Sequence, residues 1–285
     1  MSTAGTRLPT CYRHPDRETG LSCSECGRPI CTECMTPAAV GLRCPDHAGT
    51  RRVVKPPRVV RRTSRGSTTA LVTRSLIAAN FVIYLITASQ GGGINSPGGS
   101  LFAKWALYGP LVGHGDWWRL ITAAFLHANI LHIATNMYVL WIIGSHVEEY
   151  LGRTRFVALY FVAGLAGSAG ALVATPLAVT VGASGAIFGI LGAWLIIEWQ
   201  TTGRLAGNAL TWIVINLALS IAIPGISIGG HIGGLIGGIL VTLAFANWGR
   251  GHAAFGKVGA LGIVAIVAVA VASVAIAYFK VRGYA

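Results

Sequence analysis

Acidic and charged residues are scarce in this chain. Only 9 of its 285 residues are Asp or Glu, and charged residues make up 11% of the chain against 53% for hydrophobic residues. A soluble globular protein normally carries about a quarter charged residues, so the composition excludes a soluble enzyme and also a disordered chain. Cysteine is absent after Cys44, which excludes a secreted domain stapled by disulfides throughout. The long apolar part must therefore lie in a membrane.

The basic residues are concentrated near the N-terminus. Residues 1–75 hold 13 of the 22 Lys and Arg residues but only five of the nine acids. Residues 1–10 contain no apolar core, so we expect no cleavable signal peptide. The composition predicts three parts, which are a small cysteine-bearing domain at 1–50, a basic linker at 51–69 and a membrane domain at 70–285.

Four pairs of metal-binding side chains, each with two residues between its members, occupy the N-terminal part. They are Cys11 and His14, Cys23 and Cys26, Cys31 and Cys34, and Cys44 and His47. One tight turn can direct both members of such a pair at a tetrahedral metal, and each zinc takes four ligands. Eight ligands therefore predict two structural Zn²⁺ ions. A disulfide framework would use the six Cys residues but would leave the two His residues without a role.

This segment resembles a B-box or RING-like cross-braced zinc finger over residues 11–47. The resemblance implies that the first and third pairs share one zinc and that the second and fourth pairs share the other. It also implies a protein partner, because such fingers more often bind proteins than catalyse. Few apolar residues are present, so we expect the domain to need metal for folding.

The segment from Arg51 to Arg65 is strongly basic. Nucleic acid is one partner that such a run can bind. Its position directly before an apolar segment favours a cytoplasmic anchor that is attracted to anionic lipid, so we expect no nucleic-acid partner.

The apolar part contains enough sequence for seven membrane-spanning helices of about 20 residues each. The predicted spans are 70–88, 119–146, 154–174, 183–200, 206–223, 229–247 and 258–279. Lys and Arg residues in the loops are more numerous on the side of the basic linker, which predicts a multi-pass cell-membrane protein with its N-terminus in the cytoplasm.

Several polar side chains lie within these spans, where ionisable groups are costly and usually functional. Ser184 opens the fourth span and His231 opens the sixth, while His132 and Asn136 share one face of the second. Glycines four residues apart in the fourth and sixth spans predict a close approach of the two helices. That approach would let His231 activate the Ser184 hydroxyl as a base. The alternative is that the glycines serve packing alone and that Ser184 bonds to its own helix.

These residues resemble the motifs of the rhomboid family of intramembrane serine proteases, over about residues 70–280. The matching positions are Trp118-Arg119, His127-x4-His132-x3-Asn136, Glu148, Gly182-Ala183-Ser184-Gly185 and Gly230-His231-x2-Gly234-x3-Gly238. The resemblance implies an all-α bundle of six plus one transmembrane helices. It implies that Ser184 is the nucleophile, that His231 is the general base, and that catalysis needs no cofactor. It further implies that His132, Asn136 and the backbone N–H of Ser184 form the oxyanion hole. Phe188 stands where many members have a Tyr stacked on the catalytic His.

We therefore expect an endopeptidase that cleaves transmembrane segments near the outer face of the membrane. Helical substrates hide their amides in hydrogen bonds, so substrates should carry helix-weakening Gly or Pro near the cut. The alternatives are a His-relay transporter, and a membrane scaffold or inactive relative that recruits partners through its zinc finger. No inverted repeat supports a transporter, and a scaffold would not need Ser184 and His231. Other intramembrane proteases are excluded because no HExxH motif and no Asp within a predicted span is present.

Overall fold

The chain divides into two compact units, Met1–Ser67 and Thr68–Ala285, called here the N-terminal unit and the membrane unit. A computed structural model describes residues 8–38, 40–48, 70–248, 251–254 and 258–284. The basic linker that we predict at 51–69 lies outside the described residues.

The N-terminal unit is built from two short antiparallel hairpins. Thr10–Cys11 (β1) pairs with His14–Glu18 (β2), and Thr36–Pro37 (β3) pairs with Leu42–Arg43 (β4). Five of the six Cys side chains are buried, and they form a cluster with the fully buried Ile30. Sulfur atoms therefore fill most of the interior, which offers little hydrocarbon to drive folding.

The membrane unit is mainly helical over its described residues. Its helices are Leu71–Gln90 (α1), Gly99–Trp105 (α2), Gly109–Gly113 (α3), Arg119–Thr122 (α4), Ile130–Val139 (α5), Ser145–Leu151 (α6), Arg153–Ala174 (α7), Ser184–Thr202 (α8), Asn208–Ala222 (α9), Ile228–Phe245 (α10) and Ala260–Val281 (α11). A π-helical turn at Leu140–Gly144 joins α5 to α6. Short 3-10 helices follow α4 and α11.

The predicted all-α bundle behind a small N-terminal domain is confirmed, and a helix lies at each of the seven predicted spans. Within the described residues, five helices are long and apolar enough to cross a membrane. They are Leu71–Gln90, Ile130–Leu151, Arg153–Ala174, Ile228–Phe245 and Ala260–Tyr284. The fourth and fifth spans correspond to α8 and to α9, a shorter apolar helix of 15 residues. The chain is therefore a multi-pass membrane protein.

The predicted second span, 119–146, begins too early. The continuous helix runs from Ile130 to Leu151, and the residues before it form α4, a 3-10 turn and a non-helical stretch. Asn129 starts the long helix, because its side chain accepts a hydrogen bond of 2.9 Å from the backbone N–H of His132. Such an N-cap satisfies a backbone group that the first helical turn leaves unpaired. Hydropathy alone does not reveal this boundary, because the residues on both sides of it are apolar.

Glycines allow α8 and α10 to touch through their backbones, as their spacing predicts. A Cβ atom on Gly234 would lie 1.9 Å from the carbonyl oxygen of Gly185, and one on Gly238 would lie 2.1 Å from that of Gly189. Helix α7 forms a third member of this contact, because a Cβ on Gly170 would lie 2.2 Å from the carbonyl oxygen of Gly229. This packing fixes the start of α10 beside the start of α8.

The loop between α1 and α4 is held by Trp118 and Arg119. The Arg119 guanidinium is buried, donates hydrogen bonds to the carbonyl oxygens of Ala103 and Ala106, and forms an ion pair of 2.9 Å with Asp116. The indole N–H of Trp118 donates to the carbonyl oxygen of Lys104. The Trp-Arg pair of the sequence therefore holds the start of α4 against α2 and the residue that follows it.

Candidate active site and metal centres

A tight bend immediately before α8 presents Ser184 at the first position of that helix. Gly182 has a positive φ of 126°, which L side chains rarely adopt. Its backbone N–H donates to the carbonyl oxygen of Ala123 at 2.9 Å, which ties the bend to the segment before α5. The first N–H groups of a helix have no partner within the helix, so Ser184 lies beside unpaired backbone donors.

His231 contacts the Ser184 hydroxyl from the first turn of α10. The distance from its Nε2 atom to the Oγ atom of Ser184 is 2.8 Å, and its side chain is buried. Ser227 caps α10 by accepting a hydrogen bond from the backbone N–H of Gly230. The imidazole stacks on the ring of Phe188, with centroids 4.1 Å apart and planes 17° apart. The structure thus brings together the two residues that the resemblance pairs.

A second hydroxyl, that of Ser220 in α9, contacts the other side of the same imidazole. Its Oγ atom lies 2.6 Å from Nδ1 of His231 and 2.6 Å from the carbonyl oxygen of Asn216. Ser220 is not among the site residues predicted from the sequence. The signal that could have found it is a polar residue within an apolar span, four residues after Asn216. The amide of Asn216 itself donates to the carbonyl oxygen of Trp212 in its own helix.

His132 and Asn136 both face the bend before Ser184. A Cβ atom on Gly182 would lie 2.7 Å from Nε2 of His132 and 3.8 Å from Nδ2 of Asn136. The Nδ1 atom of His132 lies 3.3 Å from the backbone N–H of Ala128, which can only donate. Nδ1 is therefore the acceptor in that contact, and the ring proton lies on Nε2, the atom beside Gly182.

His127 lies behind this pair. Its ring is fully buried and packs edge-on against that of His132, with centroids 5.0 Å apart. Neither of its ring nitrogens has a hydrogen-bond partner among the described residues. The second-helix motif therefore supplies two side chains at the bend, His132 and Asn136, and one behind it.

Two carboxylates of the membrane unit cap helices. Glu148 is buried and accepts hydrogen bonds from the backbone N–H groups of Val72 and Thr73 at the start of α1. Glu198 accepts from the N–H groups of Asn208 and Ala209 at the start of α9. Each of the two carboxylates therefore lies at a helix N-terminus, where the helix dipole favours a negative charge.

The eight predicted zinc ligands form two sets of four in the N-terminal unit. One set is Cys11, His14, Cys31 and Cys34, and the other is Cys23, Cys26, Cys44 and His47. The first pair thus joins the third and the second joins the fourth, which is the cross-braced grouping that the resemblance implies. Among the described residues all six Cys residues are free thiols, so the disulfide alternative finds no support.

The spacing of these atoms fits a tetrahedral metal. Zinc bonds of about 2.3 Å to sulfur and about 2.0 Å to nitrogen place ligand atoms about 3.5–3.8 Å apart. The His14 Nδ1 atom lies 3.4 Å from the sulfurs of both Cys31 and Cys34. The sulfurs of Cys26 and Cys44 lie 3.8 Å apart. Both sets can therefore hold a metal ion.

Charge in the first set also favours a cation. Burial raises the pKa of Cys11. Hydrogen bonds from backbone N–H groups and from the His14 ring outweigh that effect and lower the pKa to about 6. Burial and the neighbouring sulfurs of Cys11 and Cys31 raise the pKa of Cys34 to about 11. Three sulfurs this close repel one another as thiolates, and a divalent cation between them removes that repulsion.

Comparison with known proteins finds similarity to the rhomboid family. Residues 114–248 match the rhomboid domain. The chain is 37% identical to rhomboid protease GluP of Bacillus subtilis over 185 residues, which cover 64% of this chain and 36% of that protein. It is 44% identical to the putative rhomboid protease YdcA of the same organism over 85 residues, which cover 30% of this chain and 43% of that protein. It is 39% identical to RHOMBOID-like protein 5 of Arabidopsis thaliana over 124 residues, which cover 40% of each. The matched part of the chain thus spans less than half the length of each of these relatives.

Proposed function

We propose that this chain, which carries a rhomboid domain at residues 114–248, is an intramembrane serine endopeptidase with a Ser184–His231 dyad. The observation that carries the proposal is the contact of 2.8 Å between Ser184 Oγ and His231 Nε2, made at the first turns of two helices. Hydroxyl and imidazole at this distance form a nucleophile paired with its base. The relatives that are named rhomboid proteases support the same reaction.

The proposed reaction begins with attack of Ser184 Oγ on the carbonyl carbon of the scissile peptide. His231 takes the hydroxyl proton on Nε2, and a tetrahedral intermediate forms with its negative charge on the former carbonyl oxygen. His231 then donates that proton to the leaving amine, and the C–N bond breaks. In the second half, His231 takes a proton from a water molecule, whose oxygen attacks the carbonyl carbon of the Ser184 ester. His231 then returns the proton to Ser184 Oγ as the C–O bond breaks, which releases the carboxylic acid product and restores the hydroxyl.

Three donors are proposed to stabilise the oxyanion. They are the Nε2–H of His132, the side-chain amide of Asn136 and the backbone N–H of Ser184. The contact of His132 Nδ1 with Ala128 supports this role, because it leaves the ring proton on the atom that faces the bend. The N-terminal end of α8 adds a partial positive charge at the same place. One such donor is worth about 3–4 kcal/mol in the transition state of an acyl transfer.

The proposed substrates are transmembrane segments with Gly or Pro near the cut. A regular helix pairs its amides internally and cannot present one to Ser184, so a site where the helix unwinds easily is favoured. Lys and Arg in the loops support a cytoplasmic N-terminus, from which the starts of α8 and α10 fall on the outer side of a cell membrane. Cleavage near the outer face follows from that orientation.

The N-terminal unit is proposed to hold two structural Zn²⁺ ions and to bind a protein partner. The two sets of ligands support the metal, and zinc would supply most of the folding energy that a sulfur-filled interior lacks. For the basic linker we propose anionic lipid as the partner, through its seven Arg and Lys residues between Arg51 and Arg65.

Cleavage in liposomes tests the proposed function. The purified full-length chain is incubated with a transmembrane substrate that carries a Gly-Pro pair near its outer end, and fragments are identified by mass spectrometry. We expect cleavage by the wild type and by Ser273→Ala, and none by Ser184→Ala. Ser273 is the matched control, because it is a buried helical serine whose Oγ, among the described residues, hydrogen-bonds to the carbonyl oxygen of Val269 alone. Equal cleavage by Ser184→Ala would reject the proposal.

A further inference from the structure

The hydrogen bonds of Ser220 determine which nitrogen of His231 carries a proton. Ser220 is 2% exposed, and its Oγ atom lies 2.6 Å from both the Asn216 carbonyl oxygen and His231 Nδ1. A hydroxyl has one proton to donate, and a carbonyl oxygen can only accept. The Ser220 proton therefore goes to Asn216, so that Ser220 can only accept from His231. Nδ1 must carry the imidazole proton.

We propose that Ser220 is a positioning residue that holds His231 as its Nδ1–H tautomer, with the free lone pair of Nε2 directed at Ser184. This inference rests on the proposed function, since it matters for catalysis only if His231 is the base. The opposite tautomer would place a proton between Nε2 and Ser184 and could not accept the hydroxyl proton. Among the described residues, Ser184 and Ser220 are the side chains hydrogen-bonded to this ring.

The series of hydrogen bonds from Asn216 through Ser220 to His231 also stabilises the protonated form of the proposed base. When His231 takes the Ser184 proton it becomes an imidazolium, whose Nδ1–H is a stronger donor. Ser220 accepts that bond while the Asn216 carbonyl dipole polarises the Ser220 hydroxyl. The arrangement occupies the position of the carboxylate in a Ser-His-Asp triad, but without a charge that would have to be buried in the membrane.

A purely structural role is the competing explanation, because a serine in an apolar helix commonly bonds to the carbonyl oxygen four residues earlier. Ser273 in α11 separates the two explanations. It makes the same bond, at 2.7 Å to Val269, and is 5% exposed, but it lies in another helix, and among the described residues its hydroxyl has no hydrogen bond to a proposed catalytic residue. A structural effect should be similar at both serines, whereas an effect on His231 should be specific to Ser220.

The test compares Ser220→Ala, the near-isosteric Ser220→Cys, Ser220→Thr and Ser273→Ala in the full chain. We expect the Ala and Cys variants to lower kcat about 10- to 100-fold, with a smaller change in KM, because loss of a residue that orients a functional His has effects of this order. Ser220→Thr keeps the hydroxyl and should retain most of kcat. Ser273→Ala should match the wild type. Thermal unfolding in detergent measures stability separately for each variant.

The ¹⁵N NMR shifts of His231 provide a readout that does not depend on activity. We expect a protonated Nδ1 and a free Nε2 in the wild type, and a mixture of tautomers in Ser220→Ala. A wild-type ring protonated at Nε2 would overturn the inference even if the variants fail to fold. So would full kcat in Ser220→Ala, or equal losses in Ser220→Ala and Ser273→Ala. A wild type with the expected tautomer but no cleavage would reject the proposed function instead.

Discussion

At the scale of single residues, the proposed chemistry rests on polar side chains. The costly placement of Ser184, His231, His132 and Asn136 within apolar sequence made all four predictable as candidates. Ser220 was not predicted, because a serine that bonds to its own helix and one that orients a base look alike in sequence. The ring stack of Phe188 on His231 agrees with the motif position, since stacking needs an aromatic face and not a phenol.

The oxyanion proposal predicts a graded loss. Asn136→Ala should lower kcat about 100-fold or less and leave detectable turnover, because two donors remain. The affinity for substrate should change little, since the lost bond forms in the transition state. Steady-state cleavage in liposomes measures both quantities. An unchanged kcat in a folded Asn136→Ala protein would remove this residue from the oxyanion hole.

At the scale of elements, glycine spacing predicted the α8–α10 contact but not the participation of α7. The glycines of α7 were present in the sequence, but spacing within one helix does not identify its neighbour. The late start of α5 escaped prediction because an N-cap depends on one hydrogen bond of Asn129 and not on hydropathy.

Helix packing predicts that Gly234→Ala is destabilising. Its new Cβ atom would lie 1.9 Å from the Gly185 carbonyl oxygen, so α10 would have to move away from Ser184. We expect a loss of about 1–3 kcal/mol in stability and a lower kcat. Gly164→Ala in α7 is the matched control, because its Cβ would meet only the Ala186 Cβ, at an ordinary 3.6 Å. Thermal unfolding and cleavage would be measured for both, and equal behaviour would contradict the packing argument.

The two ligand sets predict metal dependence of the N-terminal unit. The full chain should contain two zinc ions by elemental analysis, matching the two sets. A chelator should release both and expose six titratable thiols, while the helices of the membrane unit persist by circular dichroism. Zero thiols in the denatured, metal-free protein would support disulfides. Cys11→Ser and Cys44→Ser should each remove one of the two ions, because each belongs to a different set.

At the scale of the whole molecule, the charge of the loops predicts that the metal centres and the dyad lie on opposite sides of the membrane. Cytoplasmic thiols stay reduced, as metal ligation requires. Orientation can be predicted from the sequence because it depends on the charge of the loops. The arrangement of the helices depends on side-chain packing, which composition does not reveal.

Cysteine labelling tests this orientation. The chain has no Cys after Cys44, so Ser96→Cys in the loop after α1 and Thr202→Cys at the end of α8 are new reporters. In intact cells an impermeant thiol reagent should label Ser96→Cys only, leaving Thr202→Cys and the unmodified chain unlabelled. Labelling of Thr202→Cys with protection of Ser96→Cys would reverse the topology and place cleavage at the inner face.

The central claim is that His231 makes Ser184 a nucleophile, and covalent labelling measures it most directly. A fluorophosphonate reacts with an activated serine and marks it for mass spectrometry without any need to know the substrate. We predict a single adduct in the membrane unit, on Ser184, that is lost in Ser184→Ala and in His231→Ala and kept in Ser273→Ala. The variant that combines Ser184→Ala with His231→Ala should lose no more reactivity than either single variant, because the two residues act as a unit. An adduct elsewhere, or undiminished labelling of Ser184 in a folded His231→Ala protein, would contradict the account.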